Sequence, residues 1–168
     1  KIRPVSGRNN MPYYLAGTMT IGLGATLTMQ PGVIVKMNGG LINAQRAIQA
    51  VGRTDPASLI VFTSYRDDYY GGDTNNDSTA TTPSVGNWSY LQVDGTAIDP
   101  QCNFRNCVIR YASYGIRCVN SAPTIDSCIV QLNASGIRAE GASNPLVRGC
   151  TIYANTNYGI ENVGASFC

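Results

Sequence analysis

The chain has 168 residues, which is enough for one domain of ordinary size but too short for two independent hydrophobic cores. Only 13% of the residues are charged and 18 are glycine, a composition that excludes a disordered chain, a coiled coil and a helical bundle and favours β-structure with turns. The formal net charge of +2 gives no support for binding nucleic acid, and no apolar stretch is long enough for membrane insertion.

The N-terminal part of the chain, residues 13–64, contains five short apolar segments separated by Gly, Pro or Asn. Such segments are typical of β-strands joined by turns. In order they are LAGTMTI, ATLTMQ, VIVKMNG, LINAQRAIQAVG and SLIVFTS. We interpret each segment as one strand and the region as a set of N-terminal coils.

Residues 65–87 form a long segment rich in Asp, Gly and Asn, and we predict that it is a lateral loop. Asp73, Asn75 and Asp77 lie at alternate positions and can turn oxygen ligands towards one point, with Asp68 in the same polar cluster. Hard oxygen ligands of this kind suit Ca²⁺. We therefore predict weak structural Ca²⁺ binding. The alternative is a hydrated turn in which Asp and Asn side chains cap their own backbone without an ion.

Aromatic side chains flank this acidic loop, among them Tyr69, Tyr70 and Trp88. If their rings are exposed, they form a stacking platform for a carbohydrate. If they fold back, they cover the side of the domain, which is the commoner arrangement for aromatic residues beside a long loop.

The C-terminal part, residues 88–168, contains three similar units aligned on a cysteine. The units are NFRNCVIRYASYGIRCVN, TIDSCIVQLNASGIRAEG and LVRGCTIYANTNYGIENVG. The aligned cysteines Cys107, Cys128 and Cys150 are 21 and 22 residues apart (128−107, 150−128). A fixed period near twenty residues is a solenoid signature.

Within each unit the apolar residues alternate as they do in a strand, so one face of each strand points into a core. Stacking the units in register predicts a core ladder made of Cys107, Cys128, Cys150, Ile109, Val130 and Ile152. The cysteines are interpreted as small apolar core residues, although neighbouring coils bring such pairs within disulfide range. Cys102, Cys118 and Cys168 lie outside this column.

The segments PYYLAGTMTIGLGATLTMQPGVIVKMNGG and DPASLIVFTSYRDDYYGGDTNNDSTATTPSVGNWSYL, together with the NC...GI repeats, resemble secreted right-handed parallel β-helix proteins of the pectate-lyase-like superfold. The resemblance covers nearly all of the chain. It implies an all-β, single-stranded right-handed parallel β-helix over residues 1–168, with one long lateral loop. It is a poor guide to activity, because the superfold carries lyases, hydrolases, adhesins and members of unassigned function.

The sequence favours a structural protein over an enzyme. Histidine is absent, which removes the Ser-His-Asp triad and imidazole bases, and acidic residues outside the loop are too sparse for an evident carboxylate pair. Six cysteines favour an oxidising compartment, so we expect a secreted, extracellular or cell-surface protein. We expect a structural or adhesive role; the alternative is a polysaccharide-active or carbohydrate-binding module.

The most specific functional prediction concerns the ends of the solenoid. An uncapped coil exposes its apolar core and a row of unpaired backbone groups, and the sequence has no recognisable cap after the third NC...GI unit. Either the chain continues in the full protein, or the last residues fold back as a cap, or another subunit covers the end. The last case predicts self-association through open ends into a filament.

Overall fold

The computed structural model describes residues 2–3 and 11–164. Within these ranges the chain forms seventeen β-strands and two single-turn 3-10 helices, Pro56–Ser58 and Asp99–Gln101. In chain order the strands are β1 (Tyr13–Ala16), β2 (Met19–Ile21), β3 (Thr26–Met29), β4 (Ile34–Asn38), β5 (Ile42–Ala44), β6 (Ala47–Val51), β7 (Ile60–Ser64), β8 (Leu91–Val93), β9 (Asn103–Arg105), β10 (Cys107–Arg110), β11 (Tyr114–Val119), β12 (Thr124–Asp126), β13 (Ile129–Gln131), β14 (Ser135–Glu140), β15 (Leu146–Arg148), β16 (Thr151–Tyr153) and β17 (Tyr158–Val163). None of the described helices has the length and apolar character required to span a bilayer.

The strands form three parallel sheets, and each strand pairs with the strand three places further along the chain. The first sheet has the order β1-β4-β7-β10-β13-β16, the second β2-β5-β8-β11-β14-β17, and the third β3-β6-β9-β12-β15. One turn of the chain, called a coil here, therefore adds one strand to each sheet. The prediction of an all-β right-handed parallel β-helix is confirmed.

Two of the five N-terminal segments were wrongly predicted to be single strands. LAGTMTI is divided between β1 and β2, and LINAQRAIQAVG is divided between β5 and β6. The break in the first segment begins at Gly17, whose φ is 89°, a left-handed backbone that glycine adopts at little cost. The second segment turns at Gln45 and Arg46, two consecutive polar residues that interrupt the alternation. That interruption was the local signal of the corner.

The coils turn at single residues with left-handed backbone. Between the third sheet and the first sheet of the next coil, this position is taken by Asn106 (φ 49°), Ser127 (φ 54°) and Gly149 (φ 60°). One such residue redirects the chain, so the apolar residue before the corner and the cysteine after it both point inwards. Phe104 and Cys107, on either side of Asn106, are accordingly buried.

The core ladder predicted from the repeats lies inside the solenoid. Cys107 is in register with Cys128, and Cys128 with Cys150, because the adjoining residues pair as Val108 with Ile129 and as Ile129 with Thr151. The column beside it is Ile109, Val130 and Ile152. The first two members of each column are fully buried, and Cys150 and Ile152 of the last described coil are half-buried.

Candidate metal site in the lateral loop

Residues 65–87 leave the solenoid after β7 and return at Trp88, and both ends of this lateral loop are held at one corner. The Ser64 hydroxyl donates a hydrogen bond to Asn87 Oδ1 at 2.8 Å. The Asn87 carbonyl accepts the N–H of Gly39 in the preceding coil at 3.0 Å. The loop therefore begins and ends on a fixed base.

The loop folds back over the outer face of the first sheet. Ile34, Val61 and Val108 point outwards from three successive strands, yet they are buried and form an apolar cluster of their own. Tyr70 of the loop packs against this cluster. Burial of these outward apolar residues favours the position of the loop on the sheet, through the hydrophobic effect.

A buried ionic group lies beside this apolar cluster. Asp67 is 2% exposed and accepts a hydrogen bond from the Thr63 hydroxyl. Its Oδ2 is also 3.4 Å from Nε of Arg110, whose guanidinium lies over the rings of Tyr69 and Tyr70. Asp67 is thereby compensated, as a buried carboxylate must be.

Lys36 is the second cation under the loop. It points outwards from β4 in register with Thr63, yet it is fully buried, and its ammonium donates a hydrogen bond to the Gly72 carbonyl. Burial lowers the pKa of Lys36, and the charges of Asp67 and Asp68 oppose that shift.

Three loop carboxylates converge next to this lysine. Asp68, Asp73 and Asp77 each direct an oxygen to a common region, and these oxygens lie within 4.8 Å of one another. Asn75, the remaining residue of the predicted Ca²⁺ set, donates from Nδ2 to Asp77 Oδ2 at 2.7 Å. The structure thus brings the four predicted residues into one cluster.

The Asp73 carboxylate accepts hydrogen bonds from the backbone of its own loop. Its Oδ1 accepts the N–H of Asp77 at 3.1 Å, and its Oδ2 accepts the N–H of Ser78 at 2.8 Å. This is the capped Asp/Asn turn that the sequence offered as the alternative to an ion site. A capping carboxylate retains lone pairs, so the two interpretations are compatible for Asp73.

The other three residues of the cluster keep oxygen atoms without hydrogen-bond partners. Asp68 Oδ1, Asn75 Oδ1 and Asp77 Oδ1 are each buried, and none accepts a hydrogen bond from the part of the chain that the structure describes. Burial and the neighbouring charge of Asp73 raise the pKa of Asp68. A set of buried, unused oxygen acceptors with excess negative charge fits a hard cation such as Ca²⁺.

Of the two arrangements considered for the aromatic side chains beside the loop, Trp88 and Tyr70 adopt the folded-back one. Trp88 is 1% exposed, its indole N–H donates to the Arg110 carbonyl at 2.9 Å, and it is part of the main core. Tyr70 is half-buried against the outer face of the sheet. Of the three predicted contacts only Tyr69, at 79% exposure, presents its ring to solvent.

The cysteine ladder consists of thiols rather than disulfides. Cys102, Cys107, Cys128 and Cys150 are free, so the expected disulfide is not found among them, and Cys168 lies outside the described residues. The hydrogen bond with Cys107 raises the pKa of Cys128. Because Cys107 and Cys128 are buried in the main core and Cys150 packs against it, the ladder acts as core packing.

The outer faces of the second and third sheets carry ladders of ion pairs. Glu140 bonds Arg117 at 2.9 and 2.7 Å and also pairs with Arg138 of its own strand, and Arg138 reaches Glu161 in the next coil at 3.1 Å. On the third sheet Asp126 lies between two arginines of the adjacent coils. The aligned charges of the repeats therefore compensate one another across the coils.

Lys36 and Asp67 are the residues of the loop region that the sequence analysis missed. Lys36 occupies an outward position on a strand, where a lysine ordinarily reaches water, and only the folded loop buries it. Asp67 belongs to the Asp-rich stretch of the loop, and no pattern distinguished it from its neighbours. The one available signal was the Asp67–Asp68 pair shortly after a buried strand.

Comparison with known proteins gives one match. The family model described as "Right handed beta helix region" matches residues 75–167, more than half of the chain. Neither the curated proteins nor the solved structures contain a match. The three parallel sheets and the matched region agree, and the chain belongs to the right-handed β-helix family.

Proposed function

We propose that this protein is an extracellular structural or adhesive β-solenoid that associates end to end with further copies of itself. The observation that carries the proposal is the exposure of core-type residues in the last described coil. Ile160 is 42% exposed, whereas Ile137, its partner in the preceding coil, is fully buried. Ile152 of the same coil is half-buried, whereas Val130, its partner in the preceding coil, is fully buried.

The first coil has a comparable apolar end. Leu15, Met19 and Leu27 point inwards from the first coil and are only half-buried. Contact between the two ends of different copies would cover both sets and would give the open strand edges a pairing partner. A head-to-tail contact of this kind does not close on itself, so it produces a filament.

The proposal predicts that the size of the assembly increases with protein concentration. Sedimentation velocity over a hundredfold range about micromolar concentrations should show growing species, and electron micrographs should show rods. Ile160→Glu introduces a charge into the contact and should shift the distribution towards monomer, because an unpaired buried charge is costly.

Val51→Glu is the matched control for that substitution. Val51 is 41% exposed, as Ile160 is, but it lies on the side of the solenoid, on β6. It should leave the assembly unchanged. A wild-type protein that stays monomeric throughout the range, or equal effects of the two substitutions, would contradict end-to-end association.

We further propose that the lateral loop binds Ca²⁺ as a structural ion through Asp68, Asn75 and Asp77, with Asp73 shaping the turn. The support is the set of three buried oxygen atoms without partners. The charge of the loop region also favours a bound cation, because its carboxylates outnumber its cations. The carboxylates are those of Asp67, Asp68, Asp73 and Asp77, and the cations are Lys36, Arg66 and Arg110. Sites of weak affinity suit the millimolar Ca²⁺ outside cells.

The Ca²⁺ site is tested by thermal unfolding with about 2 mM Ca²⁺ or with chelator, a range typical of extracellular Ca²⁺ modules. Calcium should raise the unfolding temperature of the wild type by a few degrees through its binding to the folded state. Asp77→Asn should abolish most of the increase. Asp55→Asn, which removes an exposed carboxylate elsewhere, should retain it. The same unfolding temperature in calcium and in chelator would refute the site.

A further inference from the structure

Lys36 is enclosed by the lateral loop. It belongs to a strand of the solenoid and not to the loop, and it lies in register between Tyr14 and Thr63, with Arg110 one coil beyond Thr63. It is fully buried. Its ammonium donates a hydrogen bond to Gly72, a residue between Asp68 and Asp73 in the sequence. The rigid solenoid therefore places one fixed positive charge within the loop.

The carboxylates that interact with Lys36 include residues of the proposed Ca²⁺ site. The lysine lies within interaction range of the charges of Asp67, Asp68 and Asp73. Asp67 already has Arg110 and the Thr63 hydroxyl as partners. Lys36 is attracted most strongly by Asp67 and then by Asp68 and Asp73, and among the described residues neither Asp68 nor Asp73 has an arginine or lysine in ion-pair contact.

We infer that Lys36 is an internal counter-ion that regulates the Ca²⁺ site of the lateral loop. This inference rests on the site proposed above. The positive charge of Lys36 compensates part of the negative charge of the carboxylate cluster, so the loop closes on the sheet without an ion. The same charge repels a divalent cation bound to Asp68 and Asp77, so it weakens Ca²⁺ binding and restricts it to high concentrations.

Neutralising Lys36 separates these two effects. Lys36→Gln retains an N–H that can donate to the Gly72 carbonyl, and Lys36→Met retains most of the side-chain length. Both remove one positive charge beside four carboxylates, of which Asp67 is buried, and this should tighten Ca²⁺ binding about tenfold. In chelator, both should make the loop more sensitive to thermolysin, and Ca²⁺ should restore its protection.

The experiment is calorimetric titration of the folded wild type and variants with Ca²⁺, together with thermolysin digestion in chelator and in Ca²⁺. Arg53→Gln is the control, because it removes a positive charge from an exposed residue outside the loop. The Ca²⁺ affinity of the Arg53→Gln variant should stay within about twofold of that of the wild type, as expected for a screened surface charge. Circular dichroism establishes that each variant is folded, and Lys36→Gln carries the test if Lys36→Met does not fold.

The outcomes distinguish this inference from the Ca²⁺ site itself. If the wild type binds and the Lys36 variants bind no more tightly, the counter-ion role is wrong and the site stands. If only the variants bind, Lys36 is the resident cation of the wild type and the proposed wild-type site falls. If no protein binds Ca²⁺, both are wrong.

Discussion

Contact between coils explains the glycines at positions 115 and 136. A Cβ atom at Gly115 would lie 2.6 Å from the carbonyl oxygen of Gly136 and 2.9 Å from a methyl group of Val130. Real Cβ atoms do not approach a carbonyl so closely. The parallel coils are about 4.8 Å apart, so a backbone carbonyl directly above leaves no room for a side chain.

Gly115→Ala should therefore destabilise the protein by about 2 kcal/mol, within the range observed for overpacking of a core. Gly159→Ala is the matched control, because the nearest atom to its added Cβ is 3.4 Å away, which is ordinary contact. Urea denaturation followed by circular dichroism gives both free energies of unfolding. Equal losses from the two substitutions would show that close approach does not select glycine at position 115.

At the scale of elements, the arginine–glutamate ladder links β11, β14 and β17 across the second sheet. Glu140 accepts two hydrogen bonds from Arg117 and pairs with Arg138. The bonds from Arg117, followed by those from Arg138, lower the pKa of Glu140 below its ordinary value of 4.5. The unfolded chain binds a proton at Glu140 more readily than the folded chain does.

Because the pKa of Glu140 is lower in the folded state, we predict that the protein loses stability in acid. The contribution of ionised Glu140 is complete at neutral pH and disappears as pH falls below the ordinary glutamate value and through the lower folded pKa. Glu140→Gln should cost about 1 kcal/mol at pH 7, a modest figure because the pair is partly solvated, and close to nothing near pH 2. Denaturation curves at several pH values measure the difference. A difference that is constant with pH would contradict the prediction.

The repeat region could be predicted from sequence because each coil repeats the same spacing of inward apolar residues. Cys107 and Cys128 occupy equivalent places, and one period fixed the pairing of the strands in two sheets. The lateral loop could not be predicted in the same way. Its coverage of Lys36 depends on contacts with strands far away in sequence, and Trp88 is buried by the closing of a corner that no local pattern records.

Across the whole molecule, burial declines from the middle coils to the last described coil. Ile116 and Ile137 are fully buried, whereas Ile160 in the same column is 42% exposed. In a solenoid each coil is stabilised by its neighbours, so a coil with one described neighbour has less to hold it than a coil with two.

Amide hydrogen exchange should follow this gradient. Peptides from β7, β10 and β11 should exchange last, and those from β15 to β17 first, because local opening is easiest where few apolar contacts must be broken. Mass spectrometry resolves these segments. If copies associate end to end, protection of β17 should also rise with protein concentration. Uniform exchange over all coils would indicate a single cooperative unit without a weaker end.

The left-handed corner residues have a consequence for how such a chain changes in evolution. Because a coil starts and finishes at equivalent corners, tandem duplication of the 21 or 22 residues between successive cysteines would lengthen the rod and leave existing stacking intact. A single inserted residue inside a strand would instead turn the following inward side chains towards solvent. Length can therefore vary in whole coils, while the spacing within a coil is held constant.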